Sequence, residues 1–96
     1  MAYTGQMTDD SAPETADFPA IALRLGRRIR ALRLARGWPQ EELARRATIH
    51  RVYLGDVERG VRNPSLRHLA AVAAALGVRV HVLLLPDDDV PDGTAP

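Results

Sequence analysis

The sequence predicts an all-α domain of four or five short helices between two acidic tails. The chain has 96 residues, which is enough for one small hydrophobic core and not for two. Within residues 20–85, apolar side chains recur every three or four residues, which is the spacing of one helix face. Glycine follows three of these segments, at Gly37, Gly60 and Gly77, as it commonly does at helix C-termini. We therefore expect a compact helical domain over residues 20–85.

The first helix is predicted from about Ala20 to Arg36. Leu25, Ile29 and Leu32 form one apolar stripe along it, and Gly37 is a natural stop. Four arginines of this helix are expected to lie largely off the stripe, on a face that is either solvated or in contact with phosphate. They are Arg24, Arg27, Arg28 and Arg30.

Two short helices are predicted next, over about residues 40–47 and 50–59. Pro39 suits the first position of a helix, and only about three residues separate the two segments. So short a link holds two helices at a steep angle, as in a helix-turn-helix motif. The positions expected to face the core are Leu43, Ala44, Ala47, Leu54 and Val57.

A fourth helix is predicted over Leu66–Leu76. Ser65 is well placed to cap its N-terminus, and Gly77 to end it. The residues expected on its inner face are Leu66, Leu69, Val72, Ala73 and Leu76.

Residues 78–85 fit two structures. Val80, Leu83 and Leu84 share one face of a short helix, whereas the alternation of apolar and other residues from position 78 onward fits a strand. A lone strand would have to pair with the same strand of a second subunit, giving a swapped dimer. Under either alternative, this apolar segment predicts a homodimer surface over Leu76–Leu85.

Charge is divided unevenly along the chain. The net charge is +1 at pH 7, and all 13 Lys and Arg residues are arginine. Residues 20–85 hold these arginines and four acids, for a net charge of +9, whereas residues 1–19 and 86–96 carry −4 each. We expect both proline-containing tails to be disordered. The basic centre is typical of a protein that binds a polyanion.

Other classes of function find no support in the sequence. The chain has no Cys, which excludes a disulfide framework, a cysteine-based zinc site and a thiol nucleophile. No P-loop, HExxH pattern or pair of catalytic carboxylates is present, so we expect no enzyme, no metal and no other cofactor. No apolar run approaches the roughly 20 residues that cross a bilayer, and residues 1–19 lack the features of a signal peptide. We expect a cytoplasmic, nucleoid-associated protein without membrane contact.

Four stretches carry a family resemblance through their order and spacing. They are LGRRIRALRLARG at 25–37, QEELARRA at 40–47, VERGVRNPSL at 57–66 and LAAVAAALGV at 69–78. Together they resemble the lambda-repressor/Cro-type helix-turn-helix proteins, also called the xenobiotic-response-element class. The stretch at 57–66 is especially similar to the controller proteins of restriction–modification systems.

The resemblance implies that the third helix enters the major groove of DNA and that the second helix lies across it. Arg51 is the best candidate base reader, because arginine binding guanine O6 and N7 is the commonest specific contact. Val52 is expected to touch a thymine methyl group, and Asp56 either to accept from cytosine N4 or to repel phosphate. The complete set of implied base readers is His50, Arg51, Val52 and Asp56.

The resemblance also implies phosphate contacts and one structural ion pair. Gln40 is expected to bind phosphate and to brace the third helix. Arg33 and Glu58 match a pair that joins the first helix to the third, where loss of one partner leaves an uncompensated charge. The implied phosphate contacts are Gln40, Arg59, Arg62 and Asn63.

Three positions depart from the family pattern. Thr48 stands where the turn usually has glycine, and a β-branched residue disfavours positive φ. Pro39 stands at a helix cap that is usually Ser or Thr, so the hydroxyl acceptor is missing. Gly55 lies in the middle of the third helix, at a cost of about 1 kcal/mol relative to alanine, and would allow DNA or the second helix to approach closely.

Two functions follow as hypotheses. The first is a sequence-specific transcription regulator, a repressor or autoregulator, that binds a two-fold symmetric DNA operator as a homodimer through residues 50–59. Its half-sites are expected about 34 Å apart, one turn of the double helix. The alternative is an antitoxin whose main task is to bind a toxin protein, with DNA autoregulation secondary. In that case the acidic tails would be the partner-binding segments.

Overall fold

The computed structural model describes residues 17–86, and this part of the chain contains five α-helices and no strand. This confirms the all-α prediction. The tails predicted over residues 1–19 and 86–96 lie outside the described residues, apart from the positions next to the helical domain. The helices are α1 (Phe18–Ala35), α2 (Gln40–Ala47), α3 (Arg51–Glu58), α4 (Leu66–Leu76) and α5 (Val80–Leu83).

The first helix begins two residues before its predicted start, so Phe18 and Pro19 belong to α1 and not to a tail. The Asp17 side chain caps the helix by accepting a hydrogen bond from the Ala20 N–H at 3.2 Å. Pro19 lies in the first turn, where a residue without an N–H loses no helical hydrogen bond. The acidic residue and the proline that suggested a tail are thus the start signals of the helix.

The apolar stripes of the helices meet in one core. Its largest fully buried side chains are Ile29, Leu32, Leu43, Leu54, Leu76 and Leu83. In this packing α3 lies against α1 and α2, and α4 lies against α2. One inward prediction is wrong, because Leu66 is 72% exposed. It is the first residue of α4 and lies one turn before Leu69, where the helix first reaches the core.

Arg28 is buried and does not lie on the predicted charged face. It comes three residues after Leu25 and four before Leu32, so helical geometry places it on the apolar stripe. Its guanidinium donates from Nη1 to the Val82 carbonyl at 2.6 Å and from Nη2 to the Leu85 carbonyl at 3.1 Å. A third hydrogen bond reaches the carbonyl of Pro86 at 3.2 Å. Arg28 thereby satisfies backbone acceptors at and beyond the C-terminus of α5.

Residues 80–83 form a helix, and the swapped-strand alternative is wrong. Val82 and Leu83 are both buried although they are neighbours, whereas in a strand they would point to opposite faces. Gly77, in the left-handed conformation with φ of 77°, ends α4 and turns the chain back. The Arg28 hydrogen bonds then hold the segment against α1. No helix among residues 17–86 has the length and apolar character needed to span a membrane.

Candidate nucleic-acid interface

A tight turn joins α2 to α3. Thr48 adopts the left-handed conformation, with φ of 58° and ψ of 48°, as the departure from glycine at this position suggested. This conformation costs an L-residue about 1–2 kcal/mol. The Ile49 N–H donates to the Ala44 carbonyl at 2.9 Å and closes the turn. The turn therefore fixes the angle between the two helices at the expense of local strain.

The inner face of α3 is attached to α1 through a buried ion pair. Arg33 Nε lies 2.7 Å from Glu58 Oε2, and Arg33 Nη2 donates to Glu58 Oε1 at 2.9 Å. Arg33 Nη1 also donates to the carbonyl of Trp38 at 2.8 Å, so one guanidinium joins three parts of the fold. Gln40, at the first position of α2, donates from Nε2 to Glu58 Oε1 at 3.0 Å. These contacts hold the end of α3 to both preceding helices.

Gly26 is a positioning residue that was not predicted from the sequence. A Cβ atom at this position would lie 2.5 Å from the Val57 carbonyl oxygen and closer still to that of Glu58. The backbones of α1 and α3 therefore touch, and only glycine fits between them. The signal was a glycine in the middle of a predicted helix, away from any turn, where it costs about 1 kcal/mol relative to alanine.

Gly55 does not have the close-approach role that was predicted for it. A Cβ atom there would lie 3.5 Å from both Gln40 Oε1 and Arg59 Nη1, which is ordinary van der Waals contact. Gly55 is buried beside Gln40 of α2, so it does not lie on the outer face of α3, the exposed side that carries Arg51 and Val52.

The outer face of α3 presents the predicted base readers. His50, Arg51 and Val52 are all exposed, with Val52 64% accessible. They stand at the N-terminal end of the helix, which follows directly from the strained turn. Asp56 lies one turn further along the same face as Val52, and its side chain is only 20% exposed. The structure thus brings three of the four predicted readers together on the surface and sets Asp56 deeper.

The predicted phosphate contacts lie at the end of α3 and in the loop that follows it. Arg59, Arg62 and Asn63 are exposed. Arg59 Nη2 pairs with Asp56 Oδ1, and Arg62 Nη2 lies 3.6 Å from Asp56 Oδ2. These contacts gather both arginines around one carboxylate beside the outer face of α3.

Tyr53 and His68 connect this cluster to α4. The Arg62 guanidinium lies over the Tyr53 ring, 5.1 Å from its centroid, which is within the range of a cation–π contact. The Tyr53 hydroxyl is 2.9 Å from His68 Nδ1, and the two rings meet edge to face with centroids 4.7 Å apart. The loop after α3 is therefore tied to two helices through side chains. Tyr53 was not among the site residues predicted from the sequence.

A second carboxylate between two arginines lies on α2. Glu42 accepts hydrogen bonds at 2.6 Å from both Arg45 and Arg46, and these bonds hold the pKa of the Glu42 carboxyl below its ordinary value. The Arg46 guanidinium also covers the Trp38 ring at 4.1 Å, while Trp38 packs against the core. Among residues 17–86, no group of three or more potential ligands is placed to hold a metal ion.

Known proteins resemble this chain in sequence and in structure. A hypothetical transcription factor of Neisseria meningitidis serogroup B is 40% identical over 77 residues, which are 80% of this chain and 70% of that protein. The restriction–modification controller protein C.AhdI from Aeromonas hydrophila has 42% sequence identity and a TM-score of 0.65 over 67% of this chain and 97% of its own. The biofilm regulator SinR, solved in complex with DNA, has 40% identity and a TM-score of 0.61 over 64% of this chain and 98% of its own.

The helix-turn-helix family model matches residues 29–83, which is more than half of the chain and includes all of α2, α3 and α4. The match confirms the resemblance carried by the four sequence stretches. The chain belongs to the helix-turn-helix family of DNA-binding transcription regulators, in its lambda-repressor-like branch.

Proposed function

We propose that this regulator reads a two-fold symmetric DNA operator as a homodimer, with α3 in the major groove. One observation carries the proposal. In the first turn of α3, Arg51 and Val52 are exposed, while the inner face of the helix is buried and fixed to α1 through Arg33 and Glu58. A helix held in this way presents a fixed pattern of side chains to the edges of bases, and the major groove of about 12 Å is wide enough to admit it.

Within this arrangement, Arg51 is the principal base reader. It is exposed at the start of α3, and its guanidinium can donate two parallel hydrogen bonds to guanine. His50 and Val52 flank it and are exposed as well, so Val52 is available for contact with a thymine methyl group. Asp56 is the fourth candidate, but its carboxylate is engaged by two arginines.

Phosphate contacts are proposed for residues on either side of α3. Arg59, Arg62 and Asn63 follow the helix and are exposed. Gln40 lies at the N-terminus of α2, where the partial positive charge of the helix favours an anion. Its amide already donates one hydrogen bond to Glu58, which leaves a second N–H for phosphate. Phosphates bound by Gln40 and by the residues after α3 would therefore hold α2 and α3 to the DNA backbone at two places.

The homodimer surface is proposed over those residues of the predicted segment Leu76–Leu85 that are not fully buried in the subunit. Leu76, Val82 and Leu83 belong to the core of one subunit, so they are not available to a partner. Leu84 is 39% exposed, and Val78 and Val80 are half-buried. This narrower apolar surface supports side-by-side association of α5 in place of a strand exchange.

No finding supports the antitoxin hypothesis with a toxin partner, and it is not retained. The proteins compared above are described as transcription factors, regulators and controller proteins. These comparisons favour transcription regulation over catalysis. We place its action at the nucleoid, in the cytoplasm, as a consequence of operator binding.

Two arginine variants test the proposal in a fluorescence-anisotropy assay with labelled duplexes. Arg51→Ala is expected to relax preference at one base pair in each half-site, a loss of about 1–3 kcal/mol of discrimination. Arg62→Ala is expected to weaken binding to all sequences alike and to reduce the salt slope by about 1. Arg36→Ala, an exposed arginine at the end of α1, is the control. Unchanged base preference in Arg51→Ala would remove Arg51 from the readers.

A further inference from the structure

Asp56 sits between the two arginines that are proposed to bind phosphate. Its side chain is 20% exposed, whereas those of Arg59 and Arg62 are 65% and 51% exposed. One carboxylate oxygen accepts from Arg59, and the other lies 3.6 Å from Arg62. Both oxygens of the carboxylate therefore face cations that would otherwise be directed toward solvent or DNA.

The backbone at the end of α3 builds this arrangement. Arg59 is three residues after Asp56, so the two side chains are neighbours on the helix surface. Gly60 then takes a positive φ of 79°, which lets the Val61 N–H donate back to the Asp56 carbonyl at 3.0 Å. This turn brings Arg62 beside the carboxylate, where the Tyr53 ring supports its guanidinium. The cluster of Asp56, Arg59 and Arg62 is therefore formed by the protein without DNA.

A phosphate and a carboxylate compete for the same donors. The planar guanidinium of arginine binds both anions through two parallel hydrogen bonds. For Arg59 and Arg62 to contact the DNA backbone, phosphate oxygens must replace Asp56 or share the arginines with it. A carboxylate that stays in place repels the incoming phosphate. Because phosphate is the same at every base pair, this cost applies to all DNA sequences.

We propose that Asp56 is an internal counter-ion that lowers the affinity of this protein for DNA of any sequence. The inference rests on the proposed function, since it requires DNA binding through Arg59 and Arg62. Such a counter-ion helps the protein to search for its operator, because a genome offers about 10⁶–10⁹ competing non-specific sites. A regulator whose phosphate-binding arginines are already neutralised spends less time on those sites.

The test measures binding of the full chain to a duplex without operator sequence, at several salt concentrations. Asp56→Asn keeps the size of the side chain and removes its charge. It is expected to bind about tenfold more tightly at low salt, with a salt slope steeper by about 1 to 2, since each additional neutralised phosphate adds about 0.9 to the slope. Asp56→Glu restores the charge and is expected to restore the weaker binding.

Asp17→Asn is the control for the loss of one negative charge. The Asp17 side chain caps α1 by accepting a hydrogen bond from the Ala20 N–H, and asparagine can fill the same role. We expect it to change affinity by less than about twofold, because Asp17 is not part of the cluster around Arg59 and Arg62. Asp56→Asn is also introduced into the Arg59→Gln/Arg62→Gln background, where the gain in affinity is expected to disappear. A gain that persists there would show that Asp56 does not act through these arginines.

The outcomes separate this inference from the proposed function. Wild-type protein that binds no duplex overturns both. Wild-type protein that binds DNA, together with Asp56→Asn of unchanged non-specific affinity, overturns the inference alone. If Asp56→Asn binds the operator more weakly and other DNA equally well, Asp56 accepts from a base and is not a counter-ion. Thermal unfolding followed by circular dichroism verifies that the variant folds, since exposed ion pairs contribute little to stability.

Discussion

Glu58 of α3 and Arg33 of α1 form a buried ion pair that fixes α3 to α1. The side chains are only 3% and 7% exposed, and two hydrogen bonds of 2.7 and 2.9 Å join them. Both groups have lost their hydration, so each depends on the other for compensation of its charge. The pair therefore contributes both to the stability of the domain and to the orientation of the α3 surface that is proposed to contact DNA.

Removal of one member of this pair is expected to be severe. Glu58→Ala leaves the Arg33 charge buried and should destabilise the domain by about 3–5 kcal/mol. The comparison variant is Glu42→Ala, which breaks the surface ion pairs with Arg45 and Arg46 and should cost at most about 1 kcal/mol. Urea unfolding followed by circular dichroism measures both. Equal losses for the two variants would show that burial does not decide the strength of these pairs.

Two glycines inside helices are expected to respond to alanine in opposite directions. Gly26→Ala places a methyl group against the backbone of α3 and should destabilise the domain by about 1–3 kcal/mol, the usual range for overpacking. Gly55→Ala meets only ordinary contacts and should stabilise by up to about 1 kcal/mol through its higher helix propensity. Thermal unfolding of the two variants without DNA tests the contrast. A stable Gly26→Ala protein would contradict the close approach of α1 and α3.

Relief of strain in the turn is expected to stabilise the protein. Thr48 has a positive φ, which costs about 1–2 kcal/mol for an L-residue and nothing for glycine. Glycine loses more backbone entropy on folding, so Thr48→Gly should yield a net gain of roughly 0.5–1 kcal/mol. Thr48→Ala, which keeps a Cβ atom, is the control and should show no such gain. A lower unfolding midpoint for Thr48→Gly than for the wild type would argue against strain at this residue.

Arg28 is expected to hold α5 in place. Arg28→Met keeps an unbranched apolar stem and removes the three hydrogen bonds to backbone carbonyls. Because a helix of only four residues has little stability of its own, amide hydrogens of residues 82–85 should exchange faster with solvent. Those of α2 and α3 should be affected much less. Equally fast exchange throughout the domain would mean that Arg28 supports the whole core rather than α5.

The sequence predicts much of this fold because its start and stop signals are local. Ser65 caps the start of α4 and Gly77 ends it, as expected. The spacing of Leu25, Ile29 and Leu32 places one face of α1 on the core. Where local signals are ambiguous, the sequence leaves two structures open. Residues 78–85 have both helical and strand periodicity. In the structure the helix is bonded to Arg28, a hydrogen-bond donor that lies more than 50 residues earlier in the chain.

The candidate site shows the same division. Periodicity and family resemblance indicate which residues belong to α3, and the structure exposes His50, Arg51 and Val52 together. The engagement of Asp56 by Arg62 depends on how the chain turns at Gly60, which a linear pattern does not contain. Gly26 likewise acquires its role only when the backbone of α3 lies against it.

Selection of random duplex DNA by the purified protein, followed by sequencing of the enriched pool, tests the central claim most directly. Reading by a homodimer through α3 predicts one two-fold symmetric motif with half-site centres about 34 Å apart, which is one turn of the double helix. The same selection with Arg51→Ala should lose preference at one base pair in each half. A folded protein that enriches no motif would contradict the assignment of α3 as a sequence-reading helix.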